Sequence, residues 1–513
     1  MPTPTPFEIV SAPGIKRDST TFEGDNYSDG QWCRWNARAK ATKIGGYNAV
    51  TSSLNEKVYG AGSYAQAAIN NLYLGSASFF TQVQTNLTSG ALGAQFDRTP
   101  AGLVTDARHL WQIQFFLNKV GGVSTSVIVA HPGLNLNDIT NTATSPIYYG
   151  PISAVTPLVA SGMSAVDGGI LPVPPYLLAF GSAGQVNISH LNDITMLEHN
   201  TTFVTSQKIV TGLALRNSTT PAALLLSLDT LITGVFDPAQ TAAAGGVPVF
   251  DFNEVADISV LSSQGLVEFD SIYYWMGVDR FYMFNGIVRE LPNTMNLDFF
   301  FDNVNFTWRQ KAFAFKIPRF GEVWFCAPLG NATECNHAII YNVRLNTWYD
   351  TPLPDGGRTA AIFASVYPRP FMTDPDLTGT GYTLWQHETG LDKVSGTKVE
   401  PILSFFQTHE FSPIVLEKAI DKAYRISVVE PDFVQSGDMT CQVFRRQNAR
   451  VPQQAATAVT YPANPTTAAT ELARFKDNAR LLSFKFSTNT PGGNYSAGKI
   501  MGHIDVTDGR MLT

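Results

Sequence analysis

The sequence predicts an all-β protein with a few helical insertions, built as a β-propeller-like body over residues 1–400 plus a C-terminal β-sandwich-like domain over 401–513. The assignments at about 87–175 and 213–236 are left open. Three observations carry this reading. Leu261–Pro292 writes several short strands in succession with turn chemistry between them. Forty-one Gly and thirty Pro in 513 residues favour many turns over long helices, while 12% aromatic and only 15% charged residues supply ample core material. Past Pro401 the texture changes to strict alternation, as in Tyr424, Ile426, Val428 and in Leu482, Phe484, Phe486, the pattern of sheets with one wet face.

In chain order, Gly14–Tyr47 is a basic and aromatic opening, with a turn at Asp29-Gly30 before Trp32–Trp35 and a break at Gly45-Gly46. Strand-like runs follow at Val58–Tyr64, Asn71–Phe80, His109–Leu117 and Ser126–Ala130, and Asn135–Pro175 reads as loop-rich. Tyr176–Phe180 and Gln185–Ser189 form a hairpin around Gly181–Gly184. Thr220 before Pro221, with Leu224, Leu225, Leu228, Leu231 and Ile232 at helical spacing and Gly234 after them, predicts a helix. A second helix is predicted at about Thr294–Val304.

In Leu261–Pro292 the predicted strands are Val267–Phe269, Ile272–Trp275, Phe281–Phe284 and Ile287–Leu291, the last two joined by Asn285-Gly286, which accepts the positive φ angles of a tight hairpin. Gly321–Pro352 repeats this architecture with strands at Val323–Ala327, Ala338–Val343 and Thr347–Tyr349. Val451–Thr470 reads as a Pro/Ala/Thr-rich loop within the C-terminal domain.

Charge and chemistry exclude several classes. Forty-two acidic against thirty-five basic residues give a formal charge of −7, and no Lys/Arg cluster of the kind that neutralises phosphates is present, so tight nucleic-acid binding is not expected. The first residues have neither the basic cluster nor the apolar run of a signal peptide, and no stretch reaches the roughly 20 apolar residues of a membrane span, so a soluble, cytoplasmically made chain is expected. Cys33, Cys326, Cys335 and Cys441 are too few and scattered for a disulfide framework and are expected as buried thiols. Cys326 and Cys335 flank a hairpin loop, where packing or a paired thiol are the alternatives.

No G-x-S-x-G elbow, phosphate loop or H-E-x-x-H pair occurs; Gly162–Val166 breaks the first pattern at its last residue, and His387-Glu388 and His409-Glu410 stand isolated. Asp374 and Asp376 at i and i+2, followed by glycines, resemble the start of a calcium loop, but the twelfth position is Trp385, and a solvated turn is expected instead. Asn342–Trp348 ends in Asn-Thr-Trp without the Asp and Gly of the sialidase-type box. No catalytic, cofactor-binding or metal-ligating residue is assigned, no cofactor is expected, and the chain is expected not to be an enzyme.

Three stretches together resemble the tail nozzle family of short-tailed bacteriophages, also called tail hub or packaged-DNA stabilisation proteins. They are Gly14-Ile-Lys-Arg-Asp through Lys43-Ile-Gly-Gly-Tyr47; the Leu261–Pro292 meander with Ala332–Cys335 and Asn346–Tyr349; and Leu482–Arg510, with Phe484-Lys-Phe486, Gly492-Gly-Asn-Tyr495 and Asp508-Gly-Arg510. The likeness spans most of the chain except roughly Leu87–Pro175. It implies a virion tail protein made in the host cytoplasm and assembled as a ring of six below the head-to-tail adaptor. Such a ring would retain packaged DNA, conduct it at ejection, and carry fibres or spikes. The alternative is a propeller-fold glycan-binding or glycan-degrading tail enzyme, which requires convergent carboxylates or aromatic sugar platforms. Under the nozzle reading the tube lumen is expected to be acidic and uncharged polar, with basic residues such as those of Arg34–Lys43 directed into subunit or adaptor contacts.

Overall fold

The computed structural model describes residues 5–20, 23, 25–66, 69–86, 92–104, 109–135, 138–216, 218–364, 366–377, 379, 381–411, 422–463 and 473–508. Six successive four-stranded antiparallel sheets occupy the middle of the chain. They are Val58–Gln66 to Leu92–Asp97, His109–Val120 to Val159–Ala160, Gly169–Val173 to Asp193–Phe203, Ile209–Ala214 to Phe250–Ala256, Leu266–Phe269 to Val288–Glu290, and Phe313–Ile317 to Thr347–Pro352. In each the strand order follows the chain order. A seventh sheet takes Ala360–Ile362, Phe371–Thr373 and Tyr382–His387 from late in the chain. Tyr47–Leu54 then joins it antiparallel to Tyr382–His387 and parallel to Lys393–Ser395, with Lys398–Glu400 at the edge.

The first strands of these seven sheets touch in chain order, and Ala360–Ile362 returns to Val58–Gln66. Close approach is built into the small residues here. A Cβ on Gly75 would lie 2.2 Å from Cγ of Trp111, so the buried indole can lie on the first sheet only over a glycine.

The Leu261–Pro292 meander has the expected strands, observed as Leu266–Phe269, Ile272–Met276, Phe281–Phe284 and Val288–Glu290. Its turns are distributed differently. Phe269 pairs with Ile272, so Asp270 and Ser271, at φ +51° and +65°, form the two-residue hairpin turn, while Phe284 pairs with Val288 and leaves a three-residue loop with Gly286 at φ +100°. The sixth sheet likewise matches its sequence reading, with strands at Glu322–Ala327, His337–Asn342 and Thr347–Pro352.

The predicted helix at Thr220–Gly234 is instead a hairpin, Ala222–Ser227 with Leu231–Phe236, in which Leu225 pairs with Ile232 and Leu226 with Leu231. Both faces of this hairpin are buried over Ala222–Ser227 and at Leu231 and Ile232, so apolar residues appear consecutively and their spacing also fits a helix. The turn is held by the Ser227 hydroxyl, which accepts from Thr230 N at 2.8 Å. The second predicted helix is present but shorter, Leu297–Phe301. Within the loop-rich Asn135–Pro175, Tyr148–Pro151, Val159–Ala160 and Gly169–Val173 are strands; within Val451–Thr470, Gln454–Tyr461 is one, and 464–470 lies outside the described residues.

Two further sheets pack over a common core. One is five-stranded, ordered Asp29–Gln31, Ser404–Gln407, Leu481–Thr488, Met439–Arg446, Gln454–Tyr461. The other is seven-stranded, with the long strands Lys422–Ser436 and Asn494–Asp508 paired at its centre, Ala41–Lys43 and Cys33–Trp35 on one side, and Thr5–Glu8 also on Asn494–Asp508. Phe406, Tyr424, Ile426, Phe484, Phe486 and Tyr495 fill the space between them. The Tyr424–Val428 alternation is broken by a bulge between Ile426 and Val428, after which Val429 is the buried residue.

The expected fold class is therefore corrected to an all-β, sheet-rich fold with minor helices. Among the described residues every sheet is an open ladder that neither closes nor curls on itself, so the β-propeller-like body is not retained as its description. The helical insertion at 213–236 is β, and strands from both sides of position 400 build the two C-terminal sheets.

Candidate functional site

Gly14–Tyr47 is the segment that draws the chain together. Ala12–Ile15 runs parallel to Asn26–Tyr27, Asp29–Gln31 enters the five-stranded sheet, and Cys33–Trp35 and Ala41–Lys43 enter the seven-stranded one. Trp32 sits at the centre, buried and at φ +52°. Its amide donates to the Thr351 hydroxyl at 2.9 Å, and its carbonyl accepts from the Ser404 hydroxyl at 2.8 Å, which in turn lies 2.8 Å from the Tyr495 hydroxyl.

Two buried ionic groups lock this junction. Arg34 reaches Glu322 at 2.8 Å and Glu388 at 2.6 Å, with its guanidinium 3.8 Å over the Phe320 ring. Burial opposes the charge on Arg34, but the two carboxylates outweigh it and hold the guanidinium above its ordinary pKa. Burial pushes Glu322 upward against the pull of Arg34; its carboxylate also accepts from Trp324 Nε1 at 2.8 Å and the Tyr349 hydroxyl at 2.5 Å. In the second group Arg17 Nε donates to Asp350, which His337 Nε2 also approaches at 2.8 Å. Burial would raise the Asp350 carboxyl, yet the His337 hydrogen bond and the Arg17 charge hold it below the usual carboxylate range.

The next residue, Asp18, caps Leu297–Phe301 from outside that helix. Its carboxylate accepts from Asp298 N and Phe299 N, both at 2.8 Å. Lys43 is buried, donates to the Gly493 carbonyl at 2.8 Å, and is pushed down to about 8 by burial. The expectation that Arg34–Lys43 faces outward is thus corrected at both ends, because Arg34 and Lys43 are consumed inside the chain; Arg38 is exposed at the intervening turn.

All four cysteines are buried free thiols, and Cys335 donates to the Lys311 carbonyl. Asp374 is buried and its carboxylate accepts from Trp385 Nε1 at 2.7 Å and Thr383 N at 3.1 Å, while Asp376 accepts from Gly381 N, so this turn is tied to its own chain. His387 is buried, stacked on Tyr47, and accepts from Arg358 Nε at 3.2 Å; burial and the Arg358 charge hold it well below its ordinary pKa, neutral. His409 lies 3.1 Å from the Ser11 hydroxyl. Among the described residues no group of three or more His, Cys, Asp or Glu could hold a metal ion.

Among the described residues, cavities open between these elements, three of which bear on the candidates above. One of about 240 Å³ is lined by His109, Tyr148, Asn135, Asn141 and Asp167. Asp167 is already bound by Ser182 and Lys208, and among the described residues no second carboxylate lines this cavity. One of about 160 Å³ lies beside Arg17, His409, Glu410 and Arg446, where Arg446 pairs with Glu410. The third, about 210 Å³, is enclosed by the first strands of the seven sheets and carries Gln112, Gln114, Thr211, Ser263 and Gln264. Sequence reasoning missed it. Its one signal is the run His109-Leu-Trp-Gln-Ile-Gln, in which glutamines alternate with buried apolar residues.

No protein-family model matches the chain, and no curated protein matches it. Among solved structures, a chain of the mitotic checkpoint complex is similar at 10% identity and TM-score 0.35, over 75% of this chain and 91% of that one. A putative 6-phosphogluconolactonase from Bacteroides uniformis is similar at 12% identity and TM-score 0.36, over 58% and 85% respectively. Overlap this loose carries no argument about function.

Proposed function

We propose that the chain is a structural subunit of a virion tail, the terminal tube of a short-tailed bacteriophage, made in the host cytoplasm and assembled as a ring of six beneath the head-to-tail adaptor. In that role it retains packaged DNA, lets it pass at ejection, and carries fibres or spikes. The observation that supports this most is the meeting of the three stretches that resemble tail nozzle proteins. Trp32 from the first bonds to Thr351 beside the second and, through Ser404, to Tyr495 of the third. Past Asp508 the third stretch lies outside the described residues. Segments so far apart in sequence that share one buried junction read as one architectural unit, and ionic groups buried there serve positioning and not turnover.

Electron microscopy of the purified chain mixed with a head-to-tail adaptor tests the proposal, because the adaptor can nucleate a ring that the free chain does not form. Six copies in a ring on the adaptor are expected. A twofold or threefold count, or release of reducing sugar from a host glycan by the purified chain, would replace this reading with another.

A further inference from the structure

The 210 Å³ cavity enclosed by the seven first strands is a hydrogen-bonding chamber without a charge. No lining side chain titrates, although the lining includes hydroxyl and amide groups from three different strands or their approaches. Some of these groups build the walls. Gln112 Oε1 accepts from Ile170 N at 2.9 Å, and Gln264 Nε2 donates to the carbonyls of Tyr59 at 3.0 Å and Trp111 at 3.1 Å, which ties neighbouring sheets together.

Others are left over. The Ser263 hydroxyl has no hydrogen-bond partner but is buried within the wall with almost no accessible surface, so it shapes the chamber and does not reach into it. The Gln114 amide and the Thr211 hydroxyl line the same space, and Ile113, Leu213 and Phe313 supply apolar wall beside them. Gln112, Gln114 and Gln264 are half-buried, not sealed, so the chamber communicates with solvent.

We propose that this chamber is a binding site for a small neutral polyol of monosaccharide size. At roughly 30 Å³ per water the space holds about seven waters. A pyranose, with six oxygens on a compact ring, can replace the hydrogen bonds of such a cluster while its C–H face lies on the apolar wall. An anion of the same size is disfavoured, because it would lose its hydration with no cation in the lining to pair with it. The inference is independent of the proposed tail role, since it rests on a cavity within one chain.

Isothermal titration calorimetry of the purified full chain against glucose, galactose, mannose and myo-inositol, with glucose 6-phosphate as the charged comparison, tests it. At least one neutral polyol is expected to saturate a single site per chain with millimolar affinity or better, and the phosphate ester to bind at least tenfold more weakly. Gln114→Ala and Thr211→Val should each weaken binding about tenfold, and Ala361→Leu, which fills the chamber, should abolish it. Should Ala361→Leu fail to fold, Ala314→Leu serves the same purpose from the neighbouring strand. Absence of saturation by every neutral polyol would mean that the chamber holds water only. Equal binding of the phosphate ester, or binding unchanged in folded Gln114→Ala, Thr211→Val and filled variants, would also overturn the proposal.

Discussion

Arg17 and Asp350 lie 333 positions apart in the chain and meet through a guanidinium Nε that reaches both carboxylate oxygens, at 2.9 and 2.8 Å. Asp350 is fully buried, and His337 shares it. Replacing Asp350 with Ala strands two donors at once and should destabilise the chain by about 3 kcal/mol or more, measured by urea unfolding. Arg17→Ala leaves His337 in place and should cost less. Equal or smaller loss in Asp350→Ala than in Arg17→Ala would contradict this account.

Arg34 should be the more sensitive position. Its removal as Arg34→Met leaves Glu322 and Glu388 facing each other in a buried site, with an expected loss of about 3–5 kcal/mol. Neutralising both acids in the same chain, as Glu322→Gln with Glu388→Gln, should recover part of that loss. A triple variant less stable than Arg34→Met would show that shape, and not unpaired charge, dominates the site.

His131 is expected to make stability fall with acid. Its Nε2 donates between the carbonyls of Ser145 and Val166, its Nδ1 accepts from Gly133 N, and burial pushes it down to about 4. In the unfolded chain an ordinary histidine takes up a proton below about 6.5, so between those values the unfolded state binds more protons and folding stability declines as pH falls. The contribution is complete above about pH 6.5 and its loss amounts to about 3 kcal/mol by pH 4. Denaturation at pH 7.5 and 4.5 should show a smaller difference between the two pH values in His131→Gln than in the original chain.

Thiol accessibility offers a further check. All four cysteines are buried, and burial raises each of Cys33, Cys326, Cys335 and Cys441 above the ordinary thiol range. A chromogenic disulfide reagent should therefore titrate none in the native chain and four in denaturant. Fast native labelling of even one would place that cysteine outside the core.

A core substitution separates strand from helix at 222–236. Leu225 is fully buried and cross-strand to Ile232, whereas Leu228 sits partly exposed in the turn. Leu225→Ala should cost about 2–5 kcal/mol and Leu228→Ala clearly less. Similar losses at both positions would fit the helical spacing and not the hairpin.

By itself the sequence determined that the chain is β-rich, that Leu261–Pro292 and Gly321–Pro352 are antiparallel meanders, and that Phe484 and Phe486 face a core, because alternation and turn chemistry act over a few residues. It could not separate a doubly buried hairpin from a helix at Leu224–Ile232, since burial on both faces erases the period of two. Neither could it locate the partners of Arg17, Asp18, Arg34 and Trp32, or bring Gln114, Thr211 and Ser263 around one chamber. Those relations join residues tens to hundreds of positions apart, and no local spacing encodes them. Only the packing of the N-terminal segment into the C-terminal sheets, and of seven first strands around one space, decided whether these polar side chains became buried anchors, a chamber lining or surface.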